Sequence, residues 1–115
     1  MFLVMFMSIY IHIPFCSSIC TYCDFCKIFY RKYIDDYLDN LEKEIRLRYK
    51  KENVKSIYIG GGTPSCLDDS ELIKLFNIVK LFNVDENSKF TMECNVESIT
   101  ESKLNIMKKT KCEIV

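Results

Sequence analysis

Short runs rich in β-branched and aromatic residues alternate with stretches of helical periodicity along the whole chain, and this alternation restricts the fold more than any other feature. Residues 7–13 (Met-Ser-Ile-Tyr-Ile-His-Ile) read as a strand that stops at Pro14. Over residues 30–51, Ile34, Leu38, Leu41 and Ile45 recur in steps of four, three and four, which is one face of an amphipathic helix. A second strand is predicted over 54–59, running into Gly60, Gly61 and Gly62, the three glycines of the chain. A helix over 68–82 follows, with Leu72, Leu75, Phe76 and Val79 as its buried stripe and acidic residues in its first turn, where the helix dipole favours them. A third strand is predicted over 88–94, a third helix over 100–109 with Thr100 as N-cap, and a fourth strand opens over 111–115. Strands alternating with helices imply parallel strands joined by right-handed crossovers. A closed eight-unit βα barrel needs about 250 residues, and the chain has 115. The order fits a small open sheet or the N-terminal part of a larger, TIM-like barrel. The second is favoured, because the last strand has no following partner.

Sixteen Lys and Arg balance sixteen Asp and Glu, so no electrostatic argument favours nucleic acid or an anionic membrane, and neither is expected as a partner. With 49% hydrophobic and 28% charged residues the chain is too apolar to be disordered. The apolar N-terminal stretch has no basic start and no small-residue cleavage site, and it is too short to span a bilayer; it reads as a buried strand. No Arg-rich transit peptide precedes it, so a cytoplasmic location is expected. Seven cysteines are present, and Cys16, Cys20, Cys23 and Cys26 crowd into eleven residues. A disulfide scaffold would spread them over a secreted, loop-rich chain. A reducing compartment and a metal or cluster site fit better.

The run Cys16-Ser-Ser-Ile-Cys20-Thr-Tyr-Cys23 is one compact loop after a strand. Structural zinc usually takes two separated pairs of ligands, whereas Fe–S clusters are held by thiolates in short runs of this kind. Three thiolates on a four-iron cluster leave one iron open. The competing reading is a zinc knuckle completed by Cys26, a non-catalytic metal-binding module. Otherwise Cys26 is a free thiol beside the site. Cys66, Cys94 and Cys112 read as small buried residues.

The segment Gly60-Gly-Gly-Thr-Pro-Ser65 follows a strand and precedes a helix. Glycines there allow close backbone approach and positive φ, and exposed N–H and C=O groups can hold a charged ligand group. It lacks the Lys-Ser/Thr ending of a phosphate-binding loop and the spacing of a dinucleotide fingerprint; a plain tight turn is the competing reading. Glu93 ends the third predicted strand in Met-Glu-Cys-Asn. Ligands of parallel α/β folds bind at the carboxyl ends of strands, so the cysteine loop, the glycine turn and Glu93 fall on one rim. Tyr10 and His12 alternate with Ile9, Ile11 and Ile13 and share a face. His12 reads as a hydrogen-bonded core residue, and Tyr10 either lines the pocket or packs.

Together, the segments Ile-Tyr-Ile-His-Ile-Pro-Phe-Cys, Cys-Thr-Tyr-Cys-Asp-Phe, Ile-Tyr-Ile-Gly-Gly-Gly-Thr-Pro-Ser and Phe-Thr-Met-Glu-Cys-Asn resemble the radical S-adenosylmethionine (radical SAM) superfamily. Within it they resemble the oxygen-independent coproporphyrinogen III oxidase and haem chaperone family, over about residues 8–110. The resemblance implies the N-terminal part of a partial TIM-like barrel, with residues 1–115 as a single truncated core domain. It implies a [4Fe–4S] cluster on Cys16, Cys20 and Cys23, with S-adenosylmethionine (SAM) on the open iron and cleaved by one electron. Tyr10 and Tyr22 match contacts to SAM near the cluster, Gly61, Gly62 and Thr63 match the loop that holds its amino end, and Glu93 matches an acidic SAM contact. A porphyrin substrate or haem, and an electron donor of the flavodoxin or ferredoxin type, are the implied partners. Phe25 stands where the oxidising members carry a further cysteine, so Tyr22-Cys23-Asp24-Phe25 looks nearer the haem chaperone branch. Val96 stands where the family usually has proline. Family members are several times longer, so this chain alone is expected to be weakly active or inactive.

Overall fold

The structure, a computed structural model, describes residues 2–5, 8–15, 24–96 and 98–114. Its first element is one the sequence pattern does not separate: the apolar start is a hairpin, β1 (Phe2–Met5) antiparallel to β2 (Ser8–Ile13), with Phe2 opposite Ile11 and Met5 opposite Ser8. Thereafter the alternation holds. β2 is followed by α1 (Asp24–Arg48), β3 (Asn53–Gly61), a 3-10 turn (Pro64–Cys66), α2 (Asp69–Val79), β4 (Asn83–Met92), α3 (Glu101–Lys109) and β5 (Glu113–Ile114). The sheet order is β1-β2-β3-β4-β5, and the last four strands are parallel.

Sequential parallel strands joined by right-handed crossovers put every helix on the same side of the sheet. Period-two alternation then divides the strand residues. Ile9, Ile11, Ile13, Ile57, Ile59 and Met92 face the helices and share one core with Ile34, Leu38, Leu41 and Ile45 of α1 and Leu72, Leu75 and Phe76 of α2. Each such side chain contributes about 1.5–3 kcal/mol on burial. The opposite face carries Ser8, Tyr10 and His12 beside Ser56, Tyr58 and Gly60, in register, and this face is polar and aromatic. The expected placement of His12 in the core is therefore corrected: it alternates with buried isoleucines but is exposed.

Boundaries move for local reasons. α1 begins at Asp24 rather than residue 30 and ends at Arg48, and Lys51 then takes a left-handed φ of 64°. α2 starts at a capping box: Asp68 Oδ1 accepts from Glu71 N–H and Glu71 Oε1 accepts from Asp68 N–H, both at 2.8 Å. Lys74 ties it to α1 through Asp35 and Asp39. Thr100 caps α3 as predicted, accepting from Lys103 N–H at 3.2 Å. β4 starts five residues earlier than predicted, because Ser88 Oγ donates to Val54 O at 2.7 Å across a register shift. Among the described residues no helix is long and apolar enough to cross a membrane.

Cys66 and Cys112 are buried as expected, whereas Cys94 is only half-buried. Burial pushes the Cys112 thiol from its ordinary 9.0 up to about 12, and burial likewise pushes the Tyr37 phenol from 10.0 to about 12. Both folded values exceed the unfolded ones, so this stabilisation is complete below about pH 9 and lost as pH climbs toward 12. The denaturant midpoint of the chain is expected to fall across that window, and Cys112→Ala is expected to flatten its lower part. An unchanged profile in the variant would refute the assignment.

Candidate functional site

The carboxyl end of β3 meets the end of β2 at a glycine. Gly61 has φ of +125°, and a Cβ there would lie 2.4 Å from Ile13 O. Without that atom the two backbones touch: Gly62 N–H donates to Ile13 O at 2.9 Å and Thr63 N–H to Phe15 O at 2.6 Å. The same short stretch is held from below. The Tyr37 hydroxyl of α1 donates to the His12 carbonyl, the Phe15 ring stands edge-on to Tyr37 at 5.5 Å, and Cys66 Sγ reaches Phe15 O at 3.6 Å. Residues 12–15 are thus pinned immediately before Cys16, and α1 begins immediately after Cys23. Cys16, Cys20, Cys23 and Tyr22 themselves, and the side chain of Cys26, lie outside the described residues.

Glu93 extends β4 by one residue, donating its N–H to Ile59 O at 2.9 Å. Its side chain is gripped on both oxygens: Tyr58 OH donates to Oε2 at 2.8 Å, and Gly61 N–H donates to Oε1 at 3.1 Å. Tyr58 stacks on Tyr10, with ring centres 6.0 Å apart and planes 16° from parallel, and Tyr10 OH lies 3.2 Å from His12 Nδ1. A Cβ on Gly60 would come within 2.8 Å of Glu93 Oε1 and 3.1 Å of the Tyr10 ring, so only glycine leaves this cluster in place. Donation to Glu93 holds the Tyr58 phenol above its ordinary range.

A cleft of about 500 Å³ opens between residues 62–64 and 93–96. Behind it, Ser65 Oγ accepts from Asn95 N–H at 2.8 Å and lies 2.5 Å from Ser98 Oγ. Lys103 is only 9% exposed, and its ammonium donates to Ser65 O at 2.7 Å and Ser98 O at 2.9 Å. One buried cation therefore ties the turn after β3 to the turn after β4, which are the two walls of the cleft.

The structure brings together Tyr10, Gly61, Gly62, Thr63 and Glu93 as the sequence predicts. It corrects one expectation: the N–H groups of Gly61, Gly62 and Thr63 are each engaged within the protein. Each carbonyl oxygen of the turn has two acceptor positions, and that of Thr63 uses one of them for Cys66 N–H at 2.9 Å. Carbonyls beside a carboxylate suit a cationic amine, not a phosphate. Tyr58, Ser65 and Lys103 were not singled out by sequence. Tyr58 was legible, since it alternates with Ile57 and Ile59 as Tyr10 does with its isoleucines. Lys103 carries no such signal, because a lysine four residues before Met107 on a helix gives no hint of burial.

Residues 10–115 match the Radical SAM superfamily. The chain belongs to that superfamily. Among its relatives, the haem chaperone HemW of Bacillus subtilis (strain 168) is 41% identical over 107 residues, 88% of this chain and 28% of HemW. The oxygen-independent coproporphyrinogen III oxidase of Salmonella typhimurium is 33% identical over 99 residues, 81% of this chain and 22% of the oxidase. In fold, coproporphyrinogen III oxidase (HemN) from Escherichia coli, described as a radical SAM enzyme, superposes with a TM-score of 0.73 at 24% identity, covering 91% of this chain and 26% of that one. The chain thus spans about a quarter of the length of these relatives.

Proposed function

We propose that this chain is a radical SAM protein of porphyrin or haem metabolism that holds a [4Fe–4S] cluster on Cys16, Cys20 and Cys23 and SAM in the cleft beside Glu93. The observation that carries this reading is the hydrogen bond from Gly61 N–H to Glu93 Oε1, which joins the glycine turn to the acidic strand end across the two walls of the cleft. The backbone bonds to Ile13 O and Phe15 O fasten the start of the cysteine loop to that same turn. When bound, the cluster and SAM together supply one-electron reductive cleavage of a sulfonium C–S bond. The chain's own groups do the rest. The carbonyls of Gly61, Gly62 and Thr63 and the Glu93 carboxylate hold the amino end of SAM. Tyr10 and, by its place in the motif alone, Tyr22 would contact SAM near the cluster. The polar sheet face, once covered, excludes water from a reactive radical.

Two branches share this scaffold. The run Tyr22-Cys23-Asp24-Phe25 and the 41% identity to HemW favour a haem chaperone, cytoplasmic and carrying haem as cargo, over an oxidase of coproporphyrinogen. An electron donor of the flavodoxin or ferredoxin type serves either branch. Anaerobic reconstitution with iron and sulfide is expected to give about four irons per chain and visible absorbance that bleaches on reduction. SAM added under reducing conditions is expected to release methionine slowly. A colourless, iron-poor chain overturns the reading, and haem titration against coproporphyrinogen turnover separates the branches.

A further inference from the structure

The carboxylate of Glu93 stands at a strand end, where a half-buried side chain would ordinarily sample several rotamers. Here each oxygen is held by a different donor from a different place on β3, Gly61 N–H and Tyr58 OH. An ionised carboxylate has about four acceptor positions, so both oxygens retain a free one for a ligand. Tyr58 in turn has its ring fixed by Tyr10 from β2. Glycine at position 60 leaves the room in which all three side chains meet. The hydroxyl of Tyr58 is the one part of this arrangement that packing does not explain, because a phenylalanine ring would stack on Tyr10 equally well.

We infer that Tyr58 is a positioning residue: its hydroxyl orients Glu93 and so makes the cleft selective for a ligand bearing a primary ammonium group. This rests on the reading of Glu93 as a ligand contact. The hydrogen bond spans from β3 to the residue after β4, so it fixes the carboxylate relative to the glycine turn that forms the other wall. Charge-assisted bonds of this kind are short and directional. Without the hydroxyl, Glu93 keeps the single bond from Gly61 and can swing about it. The raised titration of the Tyr58 phenol has the sign expected for a donor to an anion.

The test compares equilibrium binding of SAM, and of its analogue lacking only the amino group, to the anaerobically loaded chain. Wild type is expected to prefer SAM. Tyr58→Phe is expected to weaken SAM about ten-fold, the size of one lost charge-assisted hydrogen bond, and to leave the analogue's affinity unchanged. A Tyr58→Phe chain that binds SAM like wild type, or loses both ligands equally, overturns the inference. Glu93→Gln is the companion variant. If it weakens SAM while Tyr58→Phe does not, only the role of Tyr58 fails; if it too is silent, the reading of the cleft fails. On the iron-free chain, near-ultraviolet difference titration gives a second measurement. Glu93→Gln is expected to move Tyr58 ionisation to lower pH, and an unmoved titration also overturns the inference.

Discussion

Cys20→Ser is expected to leave the chain folded and to strip it of most of its iron after anaerobic reconstitution. The two properties are expected to separate because the core among the described residues is built from other segments. Its buried side chains among the described residues come from β2, β3, β4, the three helices and the segments that join them. A four-iron cluster held by three thiolates has none to spare, and a serine hydroxyl is a poor substitute for a thiolate ligand. Cys66→Ala is the informative control. Cys66 is buried at the 3-10 turn, where its thiol reaches Phe15 O, so its loss is expected to cost stability and spare the iron. Iron and sulfide per chain, read beside thermal unfolding, check both outcomes. Full iron in Cys20→Ser would contradict the assignment of the cluster ligands.

Gly61→Ala is expected to destabilise the chain by about 3–5 kcal/mol, combining backbone strain with a backbone clash. The new Cβ would lie 2.4 Å from Ile13 O and 2.9 Å from Ile13 N, and neither is the movable end of a side chain. Relief requires β2 and β3 to part at their carboxyl ends, which breaks the bond from Gly62 N–H to Ile13 O. The start of the cysteine loop shifts with it, so iron retention should fall even in molecules that remain folded. Urea unfolding measures the first effect and reconstitution the second. A midpoint within experimental scatter of wild type would show that the close approach is dispensable.

How far residues alone reveal this molecule depends on what kind of signal each element carries. α2 and α3 were legible because Leu72, Leu75 and Phe76 recur at helical spacing and Thr100 is a good N-cap. The convergence of the glycine turn and Glu93 was legible from the rule that parallel strands gather ligands at their carboxyl ends. β1 was not, because residues 1–7 hold no Gly, Pro, Asn, Asp or Ser that would divide the apolar stretch from β2. The early start of β4 was hidden for the opposite reason. Asp85, Glu86 and Asn87 disfavour strands, yet local bonds such as Asn87 N–H to Asp85 Oδ1 carry them through the edge of the sheet. The buried Lys103 needed tertiary structure, since its acceptors are carbonyls 38 and five residues away.

The antiparallel hairpin at the start has a consequence for how such a sheet can be enlarged. With β1 seated along Ser8–Ile11 on one side of β2 and β3 along the other, both flanks of β2 are taken by neighbouring strands. A further parallel strand, arriving by the same right-handed route, can dock only past β5. Growth of the sheet is therefore one-sided, proceeding past β5, and any closure into a barrel would have to meet β1 rather than β2.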